Sequence, residues 1–405
     1  MKIIENSVVA PKGFKANGIF AGIRNKKRID LSLIYSEVVA SAAAVHTTNL
    51  VKGAPNYVTA KNLANGKAQA MICNSGNANT CNADGVEIAT KTCEILAKEA
   101  NINANDVIVA STGVIGLPLS IDPFKNGMKE LVAGLDNKPE NADLAVAGIM
   151  TTDTVKKTIA VEITIDNKPV RIGAITKGSG MIHPNMATML CFVTTDCAIS
   201  SAMLNEALHD VVDDSFNMLS VDGDTSTNDM LSIMANGLAG NKEITEKNAD
   251  YNTFKDALMY VCKTLAQKMA KDGEGATKLI ICDVEGAKTK TDAKIVAKSV
   301  ICSSLLKAAI FGADANWGRV LCAIGYSKAN VDITKVDVYF KSAKGDILVC
   351  KDGAGVAFSE EKAKEILLED EITIKIFLND GDGKSEAFGC DLTYDYVKIN
   401  GDYRS

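Results

Sequence analysis

Hydrophobic residues along the chain recur with two periods, and each period predicts one kind of secondary structure. Apolar residues three or four positions apart predict amphipathic helices, here over Asp84 to Ala100, Pro118 to Gly134, Met203 to Leu219 and Phe254 to Met269. Short apolar or alternating runs predict strands, here Leu31 to Tyr35, Gln69 to Cys73, Val107 to Ala110, Ile159 to Ile165, Val170 to Ile175, Met189 to Val193, Thr277 to Val284, Val336 to Phe340 and Glu371 to Phe377. This mixture indicates an α+β or layered α/β fold.

Glycine, proline, asparagine and aspartate separate these runs and predict the turns. Asp166 to Pro169 lies between two alternating runs and predicts a hairpin. Ser111 to Gly113 follows a buried run and predicts a polar turn, in which backbone N–H groups can converge on an oxyanion. Asp122 and Pro123 predict the N-cap and first turn of a helix. The last third of the chain predicts a meander of strands.

Length, charge and cysteine usage exclude several classes of function. The 405 residues suffice for two or three domains, and 47% hydrophobic content provides a large core. The 44 basic and 50 acidic residues give a net charge of −6 without a basic block, which argues against nucleic-acid binding. No apolar stretch approaches the ~20 residues of a membrane span, and no signal peptide is expected. Eleven scattered cysteines and three histidines predict neither a disulfide framework nor a metal site.

The stretch from Lys177 to Asp196 is hard to explain as ordinary structure. Glycines flank Ser179, a His-Pro-Asn sequence follows, and Thr188 precedes a continuous apolar run. This order predicts a sharp turn that enters a buried strand. If the turn holds the Ala187 carbonyl against the Thr188 hydroxyl, an N-to-O acyl shift followed by ester hydrolysis cuts the chain between them. The new terminal threonine then carries a nucleophile and, in its α-amine of pKa about 7.7–8.0, its own base.

Sequence motifs along nearly the whole chain resemble those of the ornithine acetyltransferase family. The motifs are PKGF at Pro11 to Phe14, TTN at Thr47 to Asn49, NSGNAN at Asn74 to Asn79, STGVIG at Ser111 to Gly116, MTTDT at Met150 to Thr154, KGSGMIHPNMATML from Lys177, SVDGDTSTND at Ser220 to Asp229, DGEGATK at Asp272 to Lys278, NWGR at Asn316 to Arg319 and the closing YVKINGDYRS. The resemblance implies an enzyme of arginine biosynthesis that cuts itself between Ala187 and Thr188. It also implies transfer of an acetyl group from N-acetylornithine to glutamate through an acetyl-threonine ester.

The resemblance assigns roles to residues whose own chemistry leaves them open. It makes Thr188 the nucleophile and places Thr112 and Gly113 in the oxyanion hole, where the residues alone indicate an ordinary turn. It makes Lys177 a substrate contact, although a lone lysine is usually a solvated surface group.

In the MTTDT motif, whose residues alone suggest a capping cluster, a threonine contacts substrate in the family. Thr152 is favoured, and Thr151 is the alternative. The resemblance also places Glu274 in the substrate pocket, although a glutamate between two glycines suggests a solvated turn. At the C-terminus it makes Asn400 and Ser405 substrate contacts, with serine standing where threonine is more usual.

The resemblance further implies a fold and an assembly. We expect two sheets flanked by helices, similar to the N-terminal-nucleophile fold. Residues 1–187 would form an α chain and residues 188–405 a β chain, assembled as a cytoplasmic tetramer of two α and two β chains. No metal or organic cofactor is expected, and the use of acetyl-CoA as a second acetyl donor stays open.

Two other functions fit the same residues. A self-processing aminopeptidase or amide hydrolase would use water in place of glutamate as the acceptor. A self-cleaved binding protein would have no catalysis, and it would leave the Thr112–Gly113 segment without a purpose.

Overall fold

The structure is a computed structural model that describes residues 1–24, 27–183 and 189–401. Its strands are β1 (Lys2–Ile4), β2 (Phe14–Ile19), β3 (Leu31–His46), β4 (Lys67–Asn77), β5 (Val107–Val114), β6 (Lys157–Ile165), β7 (Lys168–Lys177), β8 (Leu190–Thr195), β9 (Met230–Ala235), β10 (Leu279–Ala287), β11 (Asp337–Ser342), β12 (Gly345–Lys351), β13 (Ala354–Gly355), β14 (Glu371–Phe377) and β15 (Gly383–Cys390). Its helices are α1 (Ala54–Asn62), α2 (Gly85–Ala100), α3 (Asp122–Ala133), α4 (Pro139–Ile149), α5 (Ser201–Asp213), α6 (Ala249–Lys271), α7 (Lys290–Cys302), α8 (Ser304–Phe311), α9 (Trp317–Gly325), α10 (Glu360–Leu367) and α11 (Tyr394–Asn400). The predicted mixed fold of two sheets flanked by helices is confirmed.

The chain divides into two compact units. The first comprises the described parts of residues 1–178, 184–213 and 225–265, and the second those of 179–183, 214–224 and 266–405. Each unit contains one of the two sheets. In the described residues no helix is long and apolar enough to cross a bilayer.

The nine strands of the first unit are hydrogen-bonded in the order β1-β6-β7-β8-β9-β3-β4-β5, with β2 also paired to β3. The first part of β3 pairs with β2 and β4, and its last six residues, Ser41 to His46, pair with β9. The pairing with β4 shifts register between Tyr35 and Ala40. The long strand β3 therefore joins the two halves of one continuous sheet.

These two halves fold over each other as layers. One buried cluster combines Met71 and Ile108 from β4 and β5 with Ile175, Phe192 and Met234 from β7, β8 and β9. The latter strands are not neighbours of β5 in the hydrogen-bond order, so the cluster lies between the layers. A second buried cluster packs α2 and α3 on the outer face of β4 and β5.

The second unit contains a six-stranded sheet in the order β13-β12-β11-β14-β10-β15. The predicted meander is wrong in part, because β14 lies between β11 and β10 and runs parallel to β10. Its core packs α7 and α10 against the sheet, as the fully buried Val296, Ile366 and Ile374 illustrate.

Most predicted elements form, and their differences are local. The hairpin of β6 and β7 is confirmed, with Asp166 and Asn167 at positive φ in its turn. The predicted turn at Ser111 to Gly113 is wrong, because β5 continues through it to Val114. Asp122 is the first residue of α3 and not its N-cap, which is Ile121.

Strands from both sides of the expected cut share the first unit's sheet. β7 pairs with β8 over six residue pairs, and β3 pairs with β9 over six more. An α chain of residues 1–187 and a β chain of residues 188–405 would therefore complete one sheet together.

Candidate active site

One end of the layered sheet brings together several of the residues that the sequence singles out. Lys177 at the end of β7 pairs with Leu190 at the start of β8, and Leu190 pairs with Met230 at the start of β9. The Met230 N–H donates to the Met189 carbonyl at 2.7 Å. Ala187 and Thr188 lie outside the described residues, and β8 begins two residues after Thr188.

Lys177 crosses from one layer to the other. Its Nζ donates to the Thr112 Oγ1 at 3.0 Å, although β7 and β5 are five strands apart in the sheet order. The lysine is 9% exposed. Burial lowers the pKa of Lys177, and the carboxyl groups of Asp153 and Asp229 oppose that shift. The default expectation of a solvated surface lysine is therefore wrong.

The expected oxyanion segment is held by a glycine pair and an amide. Gly113 has φ of 129° and lies opposite Gly76, where an added Cβ would stand 2.3 Å from the Gly76 carbonyl carbon. Only glycine fits such a close backbone approach. Asn228 donates from Nδ2 to the carbonyls of Ala78 at 2.5 Å and Ser111 at 2.9 Å. The end of β5 is thus fixed on both sides.

The MTTDT motif is organised by its aspartate. The Asp153 carboxylate accepts hydrogen bonds from the Thr151 N–H at 2.9 Å and the Gly178 N–H at 2.7 Å, and from the Lys157 Nζ at 2.6 Å. Burial alone would raise the pKa of Asp153, but the charges of Lys157 and Lys177 and the Gly178 N–H lower it to about 2. Thr151 and Thr152 are both half-buried.

Sequence reasoning missed three polar residues at this end of the sheet. From its sequence neighbours Asp153 suggests only part of a capping cluster. Arg24 donates to the Met150 carbonyl and so supports the same motif. Asp229 is buried, and burial raises the pKa of its carboxyl although the nearby Lys177 charge opposes this. The sequence feature that points to a functional role for Asp153 and Asp229 is their position within motifs that resemble those of the family.

The second unit brings two other predicted site residues into contact. The Asn400 Nδ2 donates to the Glu274 Oε2 at 2.7 Å, across 126 positions of sequence. Glu274 is 7% exposed, so the reading of a solvated turn is wrong. Gly180 leaves room for its carboxylate, because a Cβ at Gly180 would lie 2.3 Å from the Glu274 Oε2. Ser405 lies outside the described residues.

Asp222 fixes the segment that leads toward the expected cut. Its carboxylate accepts from the Met181 N–H at 2.7 Å and the Ile182 N–H at 2.9 Å. The Asp222-Gly-Asp224 sequence looks like the opening of a calcium loop, but the glutamate that should close such a loop is replaced by Ile233. The described residues contain no cluster of three or more His, Cys, Asp or Glu side chains suited to a metal. The aspartate has a backbone-binding role instead.

The eleven cysteines are all unpaired. Cys191 and Cys262 are fully buried, as expected of small apolar side chains. A cysteine with apolar neighbours in the sequence, such as Cys322, is usually buried, but Cys322 is exposed.

Comparison with known proteins gives consistent matches over the whole chain. The sequence pattern of the ArgJ family matches residues 15–405. The arginine biosynthesis bifunctional protein ArgJ of Caldanaerobacter subterraneus subsp. tengcongensis is 50% identical over 406 residues, which is 100% of each chain. The protein of the same name from Geobacillus kaustophilus is 49% identical over 405 residues, which is 100% of this chain and 97% of its own. The crystal structure of arginine biosynthesis bifunctional protein argJ from Bacillus halodurans is 47% identical with a TM-score of 0.50, and the match covers 52% of this chain and 97% of that one.

His183, five residues before Thr188, gives the second unit a pH-dependent stability. Its Nδ1 lies 3.0 Å from the Ser220 Oγ and 3.6 Å from the Cys302 Sγ. Burial, helped by the nearby Lys298 charge, lowers the pKa of His183 to about 4. In the unfolded chain His183 has its ordinary pKa of about 6.5, so below that pH the unfolded chain binds a proton that the folded chain does not bind until about pH 4. The free energy of unfolding therefore falls as pH drops from about 6.5 to about 4.

We therefore expect His183→Gln to lose less stability than the unchanged protein between pH 7 and pH 5. The measurement is the urea midpoint of each protein at both pH values. Between pH 7 and pH 8 the urea midpoints of the two proteins should change in parallel, because the folded and unfolded pKa values of His183 both lie below that range. Equal losses between pH 7 and pH 5 would show that His183 does not cause the dependence.

Proposed function

Because the chain belongs to the ArgJ family, we propose that it is a self-cleaving acetyltransferase of arginine biosynthesis. It moves the acetyl group of N2-acetyl-L-ornithine to L-glutamate through an acetyl ester on Thr188. The structural observation that carries the proposal is the buried Lys177–Thr112 hydrogen bond, at the end of the sheet where β8 begins just after Thr188. A buried amine beside a polar strand end suits the stabilisation of a developing oxyanion.

The first reaction is the cut. The Thr188 Oγ attacks the carbonyl carbon of Ala187, the hydroxyl proton passes to the Thr188 nitrogen as the bond to that nitrogen breaks, and an ester replaces the amide. Water then hydrolyses the ester, which leaves a carboxylate on Ala187 and a free amine on Thr188. The size of the Bacillus halodurans chain supports this step, because that chain matches only about half of this one and is itself almost fully covered.

The second reaction is acetyl transfer. The Thr188 Oγ attacks the acetyl carbonyl of N-acetylornithine while its own amine takes the hydroxyl proton. Thr112 and Gly113 hold the tetrahedral oxyanion, with Lys177 adding a positive charge near it. The carbon–nitrogen bond breaks, the amine of Thr188 returns the proton to the leaving nitrogen, and ornithine departs. The amine of glutamate then attacks the acetyl-threonine ester by the reverse steps.

Substrate recognition is assigned to the remaining residues. Glu274 receives a cationic amine of ornithine, and a charge-assisted hydrogen bond of this kind is stronger than a neutral one. Its contact with Asn400 and the space left by Gly180 support this role, since they hold the carboxylate in one place. Thr152 contacts substrate, with Thr151 as the alternative. Ser405 supplies a further hydroxyl.

The assembly follows from the same proposal. Residues 1–187 and 188–405 form an α and a β chain, and two of each form a heterotetramer in the cytoplasm. The pairing of β7 with β8 and of β3 with β9 supports a stable association of α with β after the cut. No metal or organic cofactor takes part, because the terminal threonine supplies both nucleophile and base.

The direct test is an acetyl-transfer assay with the cut protein. We expect N-acetylornithine and glutamate to give ornithine and N-acetylglutamate in equal amounts. Steady ornithine release without glutamate would instead indicate an amide hydrolase, and no release at all would indicate a binding protein. In a parallel assay acetyl-CoA replaces N-acetylornithine, and we expect N-acetylglutamate there too, since the relatives are named bifunctional.

Thr188→Ala should abolish both the cut and the turnover, because the variant has no hydroxyl to attack Ala187. Denaturing electrophoresis should show one band near the full 42.9 kDa, where the unchanged protein shows two fragments. Thr188→Ser, which keeps a hydroxyl, is the matched control and should still be cut. Two fragments of the usual size from Thr188→Ala would rule out the assignment.

Glu274→Gln should raise KM for N-acetylornithine about tenfold while self-cleavage continues, because it removes the charge but keeps a partner for Asn400. Gly180→Ala should act in the same direction, because its methyl group needs the space of the Glu274 carboxylate. Gly325→Ala is the control, since a Cβ there meets nothing within 4 Å. Unchanged kinetics in both site variants would remove Glu274 from the substrate pocket.

A further inference from the structure

One buried carboxylate links two segments that the proposed function uses separately. Asp153 accepts the Thr151 N–H at 2.9 Å through Oδ2 and the Gly178 N–H at 2.7 Å through Oδ1. Thr151 belongs to the substrate-contact motif, and Gly178 directly follows the lysine that bonds Thr112. Both contacts are therefore with backbone groups of proposed site segments.

The carboxylate is held in place by a buried cation. Lys157 donates from Nζ to the Asp153 Oδ1 at 2.6 Å, and both side chains are 0% exposed. Lys157 is the first residue of β6 and pairs with Thr176, next to Lys177 on β7. The ion pair is thus anchored to the hydrogen-bonded hairpin that carries Lys177, and a carboxylate with three donors has little freedom to rotate.

Charge adds a second link between Asp153 and Lys177. The titratable groups that influence the Lys177 amine are Asp153 and Lys157 from the β6 side, Asp229 before β9 and the Cys73 thiol on β4. Asp153 is the largest of the influences that favour the charged amine. Removing it would leave Lys157 and Lys177 as two buried like charges, and burying unpaired charges is costly.

We propose that Asp153 is a positioning residue. It sets the distance between the Thr151–Thr152 segment and the Lys177 amine, which donates a hydrogen bond to Thr112. This inference rests on the proposed acetyl transfer. The carboxylate itself touches neither substrate nor the reacting atoms. It acts through the backbone of Thr151 and Gly178, so its loss should slow the chemical step more than it weakens substrate binding.

The main test is the double variant Asp153→Asn with Lys157→Met, which removes both charges of the pair together. A neutral pair of similar size avoids an unpaired buried cation. We expect kcat to fall about 10²-fold, as for the loss of one oxyanion donor, with KM changed less than about threefold. Self-cleavage should slow as well, because it uses the same end of the sheet.

A second variant keeps the charge and moves the carboxylate. Asp153→Glu retains the ion pair with Lys157 but adds one methylene, which displaces the oxygens from the Thr151 and Gly178 N–H groups. Because displacements of about 1 Å at a reacting centre cost up to about 10²-fold, we expect kcat to fall at least about tenfold. The extra methylene in a packed core should also lower Tm, by about as much as the loss of backbone contacts in Asp196→Asn. This variant keeps the proposal testable if the double variant does not fold.

The matched control is Asp196→Asn. Asp196 is also a buried carboxylate of the first unit that accepts two backbone N–H groups, those of Lys12 at 3.0 Å and Arg171 at 2.8 Å. It follows β8 and so lies at the end of that strand remote from Thr188. Its substitution should lower Tm and leave kcat within about twofold, since it supports backbone far from the proposed chemistry.

Three results would overturn the role of Asp153. One is a normal kcat in Asp153→Glu, and another is a normal kcat in a folded double variant. The third is a loss of kcat in Asp196→Asn as large as that in the Asp153 variants, which would show that stability alone decides activity. An unchanged protein that moves no acetyl group would instead overturn the proposed function, so the two failures are distinguishable.

Discussion

The candidate site depends on the packing of the two halves of the first unit's sheet against each other. β5 and β7 are five steps apart in the hydrogen-bond order, which in a flat sheet would separate them by about 24 Å. The Lys177 Nζ nevertheless reaches the Thr112 Oγ1 at 3.0 Å, because β3 carries the sheet from one layer into the other. Close packing between the layers, through side chains such as Phe192 and Ile108, fixes that distance. The geometry of the site is therefore a property of the core and not of a surface loop.

Packing the two layers together buries charged side chains, and the free-energy cost of their desolvation explains how they are arranged. Desolvating an unpaired lysine or aspartate is expensive, so buried ionic groups need partners. Asp153 and Lys157 form an ion pair at 2.6 Å. Each hydrogen bond that the Asp153 carboxylate accepts from a backbone N–H offsets a further part of its desolvation cost. Lys177 instead has the Thr112 hydroxyl and two carboxyl groups acting from a distance. A buried cation that donates to a neutral hydroxyl is suited to stabilise a developing negative charge.

Local patterns predicted most elements, while the site required contacts that no local pattern contains. β8, the hairpin of β6 and β7, and helices α2 and α6 were predictable because their periods lie within a few residues. The roles of Asp153 and Asn228 were not, since the Gly178 N–H lies 25 positions from Asp153 and the Ala78 carbonyl lies 150 positions from Asn228. Two glycines flank Glu274 and suggest a solvated turn, but its carboxylate accepts a hydrogen bond from Asn400, 126 positions away in the sequence. The residues around Thr112 suggest a turn, because the pairing of this strand with β4, which includes Ser75 with Thr112 and Gly76 with Gly113, cannot be inferred from them alone. The sequence motifs indicate which residues belong to the site, but the distances between their side chains follow only from the fold.

If the proposed cut between Ala187 and Thr188 takes place, the sheet that both sides share would keep the fold intact. β7 ends before the proposed cut and β8 begins after it, and the two are joined by antiparallel pairs from Ile172 with Thr195 to Lys177 with Leu190. On its other side β8 pairs in parallel with β9, which in turn pairs with β3 from the opposite side of the cut. The ladder hydrogen bonds do not depend on the Ala187–Thr188 bond, so breaking that bond frees an amine while the strands stay paired. In the sequence Leu190 is two residues after Thr188, and the sheet holds Leu190 in register with Lys177.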